Sequence, residues 1–123
     1  MFSVFIEQIY VCYAMLIYKV FVELDFDLFI RNDGASASVS DVKDGFIHLS
    51  KREQLSQTIK RYFSKQDLIF VSAFRESDLA HKLRWELSKN LEVFPHYYGY
   101  LRPSQVIYTI RLEPQIHAKI PLE

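Results

Sequence analysis

The chain has 123 residues, half of them hydrophobic, with ten Phe and eight Tyr, which suits one domain with a single packed core and no disordered tract. Its fifteen basic and fifteen acidic residues cancel, removing the overall field that would gather a nucleic-acid backbone. The lone cysteine, Cys12, excludes an internal disulfide and fits a reducing, cytoplasmic compartment.

Met1 to Ala14 is apolar but interrupted by Glu7 and Gln8, and it lacks the basic start and A-x-A site of a secretory signal. The apolar run from Ile9 to Val22 is broken by Lys19 and is too short to span a membrane. Met15 precedes Leu16 to Val22, a β-branched and aromatic run that reads as the first strand. Residues 1–14 then read as an N-terminal extension or a helix packed on the surface, 15–113 as the domain, and 114–123 as a poorly packed tail. Leu24 to Ile30 forms a short helix or an irregular turn; if helical, Phe26 and Phe29 share a face. Arg31 to Lys43 reads as a loop of about a dozen residues, long enough to serve binding. Its Asn32-Asp33-Gly34 is a turn, and Ser36, Ser38 and Ser40 are ordinary loop residues.

Asp44-Gly45 is a second turn. In Phe46 to Ser50 the side chains alternate, with Ile47 and Leu49 on one face and Phe46, His48 and Ser50 on the other. Ser50 and Glu53 have the spacing of a capping box. Lys51 to Lys65 is the clearest helix, with Leu55, Ile59, Tyr62 and Phe63 as its apolar stripe. The basic residues Lys51, Arg52, Lys60 and Arg61 form its solvated face. Asp67 to Phe74 is apolar on both faces, as a central strand is. Arg75 to Ala80 holds a helical turn begun by Ser77. Lys82 to Ser88 alternates Leu83, Trp85 and Leu87 against Arg84, Glu86 and Ser88, with Trp85 a core residue. Phe94 to Gly99 contains Pro95, which points to an edge or an ordered loop. Val106 to Leu112 is the last strand. The result is a single α+β domain: a mixed, twisted sheet of about five or six strands with one main helix.

Three blocks stand in order: IYKV at Ile17 to Val20, DGFIHLS at Asp44 to Ser50, and RWE with FPHYYG from Arg84 to Gly99. Together with Gln54 and Arg61-Tyr62-Phe63, they resemble the domain-of-unknown-function family numbered 952, small bacterial proteins with no assigned reaction. The resemblance runs from Met15 to Leu112. Two features depart from it: the tryptophan after the first strand is absent, and Asn90-Leu91-Glu92 replaces a glycine ahead of the FPH block. The family is in turn similar to the ADP-ribosyltransferase fold, a split sheet with an NAD cleft between its halves. The resemblance implies that His48 contacts the nicotinamide ribose and Glu86 is the acidic residue that stabilises a ribosyl cation.

The candidate site is a shared pocket, with His48 and Glu86 catalytic and Ser50, His96 and Tyr98 binding the ligand. Three readings follow. The first is NAD or nucleotide-like ligand binding with ribosyl transfer. The second is a mononuclear metal site of His48, Glu86 and His96, which match a two-histidine, one-carboxylate inventory. The third is a non-catalytic domain binding a small ligand or partner. Taken alone, His48 fits a structural histidine, Glu86 fits an ion pair with Arg84, and the tyrosines after Pro95 fit ordinary packing. His81 and His117 belong to the surface. With three glycines in the chain there is no phosphate loop, and Ser50 is committed to capping rather than nucleophilic attack.

Overall fold

The computed structural model describes residues 15–34 and 39–116. The readings of residues 1–14, of Ser36 and Ser38, of His117 and of the end of the tail fall outside them.

The first strand, β1 (Leu16–Val22), buries both faces. Ile17 and Phe21 enter one apolar cluster, and Tyr18 and Val20 enter another behind it. Helix α1 (Glu23–Arg31) follows directly and brings Phe29 onto Phe21 at 4.9 Å, while Phe26 stacks on Phe70 at 4.2 Å. Asp33 turns the chain at φ 51°, and Gly34 is pressed so closely under the Tyr100 ring that a Cβ would overlap it. The region read as a loop carries a short helix, α2 (Val39–Asp44), ended by Gly45 at φ +81°.

Strands β2 (Ile47–His48) and β3 (Ser50–Lys51) are separate. A 3-10 turn, Arg52–Gln54, leads into α3 (Leu55–Tyr62). Then come β4 (Ile69–Arg75), α4 (Glu76–Leu79), β5 (Leu83–Leu87), β6 (Val93–Tyr97) and β7 (Val106–Leu112). The strands form two sheets with orders β3-β1-β4-β7 and β2-β6-β5, and each pairing is antiparallel. The domain is α+β, its strands divided between two sheets. One cluster of buried side chains, including Ile17, Phe21, Phe29, Ile47, Leu49, Phe74 and Tyr97, draws on both sheets. The other packs Leu55 and Ile59 of α3 against Tyr18, Val20, Val71 and Ala73. Each large apolar side chain so buried contributes about 1.5–3 kcal/mol.

Several expectations change. The strand read through Phe46 to Ser50 breaks at Leu49, where the chain leaves one sheet for the other, so the alternation does not reach Ser50. The cap forms one residue later than expected: Gln54 Oε1 accepts from the Lys51 N–H at 3.0 Å, and Gln54 Nε2 donates to Val93 O at 2.8 Å. Tyr62 is 66% exposed, so the helix stripe narrows to Leu55 and Ile59 with the partly buried Phe63 beside them, and Trp85 is 42% exposed rather than core.

The Pro95 segment is the central strand of its sheet, not an edge. The proline is tolerated because β2 is only two residues long. Pro95 O still accepts from the Leu49 N–H at 3.1 Å. The donor that proline lacks falls opposite Leu49, where the chain is already departing.

Candidate functional site

The three-stranded sheet lines up its polar side chains by register. His48 lies opposite His96, and His96 opposite Arg84, with Glu86 two residues further along β5. Directly opposed residues share a face, so one surface carries His48, His96, Arg84 and Glu86, while Ile47, Tyr97 and Leu83 turn toward the core. Phe46 joins the polar surface, its ring stacked on His96 at 4.0 Å and 4.8 Å from the His48 ring.

His48 is held from two sides. Its Nδ1 is 2.5 Å from Asp41 Oδ1, and its Nε2 is 2.9 Å from Asp44 Oδ2. Both contacts are hydrogen bonds at once only when the ring carries a proton on each nitrogen. The His48 main-chain N–H also donates to Asp41 Oδ1 at 2.9 Å. Behind it, Asp41 Oδ2 accepts from Lys19 Nζ at 2.6 Å, the two side chains being 1% and 6% exposed. Burial alone would push the Asp41 carboxyl up. The His48 ring hydrogen bond, the Lys19 charge and hydrogen bond, and the His48 main-chain N–H instead bring it down to about 2.

His96 is arranged differently. Its Nδ1 is 2.8 Å from Glu86 Oε1, and the same oxygen accepts from the Tyr98 hydroxyl at 2.7 Å. The hydrogen bond from Tyr98, followed by that from His96, holds the Glu86 carboxyl below its usual range, and the bond to Glu86 raises the Tyr98 hydroxyl. In the neutral tautomer that donates its Nδ1–H to Glu86, His96 presents a lone pair at Nε2. Nε2 has no partner among the described residues, and no buried side-chain nitrogen or oxygen there is left unbonded; the atom reaches the surface. Arg84 lies over the Tyr98 ring at 4.8 Å, completing a set of His, Glu, Tyr and Arg beside the Phe46 ring.

His48, Glu86, His96 and Tyr98 therefore share one face, but Ser50 does not join them. It sits on β3 opposite Tyr18 in the other sheet, buried, with its hydroxyl 3.2 Å from Thr58 Oγ1. Among the described residues no group of three His, Cys, Asp or Glu side chains is placed to hold a metal ion. His48 has both nitrogens on aspartates, so the arrangement of His48, Glu86 and His96 does not converge as a ligand set. Asp41, Lys19 and Phe46 were missed from sequence. The signal for the first two was Lys19 itself: a lysine amid an otherwise apolar strand needs a buried counter-charge. Among the described residues no helix is long and apolar enough to cross a membrane.

The fold and this polar sheet face define a small two-sheet α+β domain. The family model described as "Protein of unknown function (DUF952)" matches residues 27–109, and the chain belongs to that family. The crystal structure of protein CC0527 from Caulobacter crescentus is 34% identical, with a TM-score of 0.75, over 80% of this chain and 86% of that one. The solution structure of the same protein gives 32% identity and a TM-score of 0.75 over 89% and 99%. Among functionally curated proteins there is no match.

Proposed function

We propose that the face bearing His48, Glu86, His96 and Tyr98 binds a nucleotide-like small ligand, NAD being the lead candidate, and supports ribosyl transfer. The observation that carries this reading is the meeting of β2 with the β5–β6 hairpin, distant from it in sequence, around a carboxylate with two hydrogen-bond donors beside an outward-facing imidazole nitrogen. Glu86, held below the usual carboxylate range, is an anion at neutral pH, suited to opposing positive charge that develops on a ribose ring. As the C–N glycosidic bond breaks, the leaving base takes the electron pair, and an acceptor oxygen adds to the ribosyl carbon. His96 Nε2 takes the acceptor's proton. His48 reaches a ribose hydroxyl at Nε2, in the place that Asp44 Oδ2 holds in the free protein. Phe46 and Tyr98 offer flat surfaces to a base or nicotinamide ring.

A thermal-shift screen with NAD, ADP-ribose, adenosine and nicotinamide tests binding, because a ligand selective for the native state raises the melting temperature. His48→Ala and His96→Ala abolish the NAD-induced shift while the ligand-free melting temperature stays within a few degrees of wild type. Glu86→Gln retains the shift but loses nicotinamide release from NAD. An NAD-induced shift without nicotinamide release in the wild-type protein leaves a non-catalytic binding domain. Failure of NAD and the other three compounds to shift the wild-type protein overturns the proposal.

A further inference from the structure

The strand that carries Arg84 and Glu86 is the outer strand of its sheet: the order is β2-β6-β5, and among the described residues nothing pairs with the far side of β5. The phase of its ladder is fixed at both ends. The Tyr98 N–H donates to Lys82 O, and the Ser88 N–H donates to Glu92 O. With the observed register, Arg84 and Glu86 turn their main-chain groups toward β6, leaving the N–H and C=O groups of Leu83, Trp85 and Leu87 aimed out of the sheet. Two of these residues keep large apolar side chains at the surface, Trp85 at 42% and Leu87 at 61% exposure. An outer strand with free main-chain groups and uncovered apolar side chains is a template for another strand.

The sequence of that strand, Leu83-Arg84-Trp85-Glu86-Leu87, is its own complement when read backwards. Placed antiparallel to a second copy about a two-fold axis through Trp85, Leu83 faces Leu87 and Trp85 faces Trp85. Arg84 of each copy faces Glu86 of the other. The outward main-chain groups belong to the residues that such an axis makes hydrogen-bonded pairs, giving about six main-chain hydrogen bonds, while Arg84 and Glu86 fall at the closer, non-hydrogen-bonded positions. A contact of this kind is isologous and closes at two copies. The other outer strand of comparable length, β7, has no such symmetry: about Thr109, Arg111 falls opposite Ile107.

We infer that β5 is a self-recognition edge through which two copies of this chain pair antiparallel about Trp85, joining their three-stranded sheets into one. Arg84 of the second copy then lies beside Glu86, so each polar face is completed by its neighbour.

Sedimentation velocity over a range of protein concentrations tests this, with far-ultraviolet circular dichroism and thermal melts to establish that each variant folds. The wild-type chain sediments as a dimer at the upper concentrations. Arg84→Glu and Glu86→Arg, each of which opposes like charges across the axis twice, sediment as monomers. An equal mixture of the two single variants associates again, because each copy then meets its complement. Trp85→Pro removes an outward N–H without disturbing the ladder to β6, and it sediments as a monomer. Should that variant fail to fold, the charge series decides. A wild-type monomer at every concentration, a dimer that survives Trp85→Pro, or no recovery on mixing overturns the inference.

Discussion

Replacing Asp41 by Asn removes the carboxylate that Lys19 and His48 share while keeping the side chain's shape. In the native fold this carboxyl titrates at about 2, against an ordinary value of 3.8. At about 1.4 kcal/mol per pH unit, that difference stabilises the fold by about 2 kcal/mol wherever the unfolded chain is also ionised. Because the folded value is the lower one, the contribution is complete above pH 3.8 and disappears as the pH falls through about 2. The mutation has a second cost at neutral pH. The Lys19 ammonium, 6% exposed, is left without its counter-charge, and breaking one side of a buried pair costs about 3–5 kcal/mol. Urea denaturation of wild type and Asp41→Asn at matched pH values isolates Asp41 and the groups bonded to it, since groups outside this network cancel in the difference. The stability gap should be several kcal/mol from pH 7 down to pH 4 and narrow by about 2 kcal/mol toward pH 2. A gap below 1 kcal/mol at pH 7, or one that stays constant down to pH 2, refutes the account of Asp41 as the ionised hub of this network.

Gln54→Ala leaves the Lys51 N–H and Val93 O without the partners they have in the fold, and denaturant melts should show a loss of about 1–3 kcal/mol. Gly99→Ala places a methyl within 2.6 Å of the ring of the buried Tyr97, and the same measurement should give a loss of about 1–3 kcal/mol from overpacking. In Tyr98→Phe the Glu86 carboxyl loses the first of the bonds that hold it down, so its carbon resonance should titrate at higher pH than in wild type. A chain beginning at Met15 should unfold cooperatively with nearly unchanged stability, as a domain spanning 15–113 requires.

The local periodicities of the sequence found most of the elements. The alternation of Leu83 to Leu87 gave β5 its two faces, and the apolar run at Ile69 to Phe74 read correctly as a strand buried on both sides. His48, Glu86, His96 and Tyr98 were picked out as residues of one site and do lie on one face. What local pattern did not carry was the passage at Leu49. A switch between sheets leaves no periodic mark, so Ser50 was placed beside His48 when it belongs to the other sheet. Pro95 misled for a related reason: the rule against proline in a central strand assumes a full-length neighbour, and β2 is two residues long. Trp85 was expected inside because it alternates with Leu83, yet the core stops short of the hairpin's far end. Asp41 was hidden by its surroundings, a run of small residues that looks like loop.

The crossing at Leu49 also bears on the order of folding. The β5–β6 hairpin joins near neighbours and needs little chain closure. By contrast β1 meets β4 across roughly fifty residues, the kind of non-local pairing that slows folding. His48 completes one sheet and Ser50 the other, so the residue between them is fixed only when both sheets are in place. The imidazole pair His48–His96 thus depends on how the passage at Leu49 is held, and a mutation that loosens Leu49 should scatter it while leaving the β5–β6 hairpin intact.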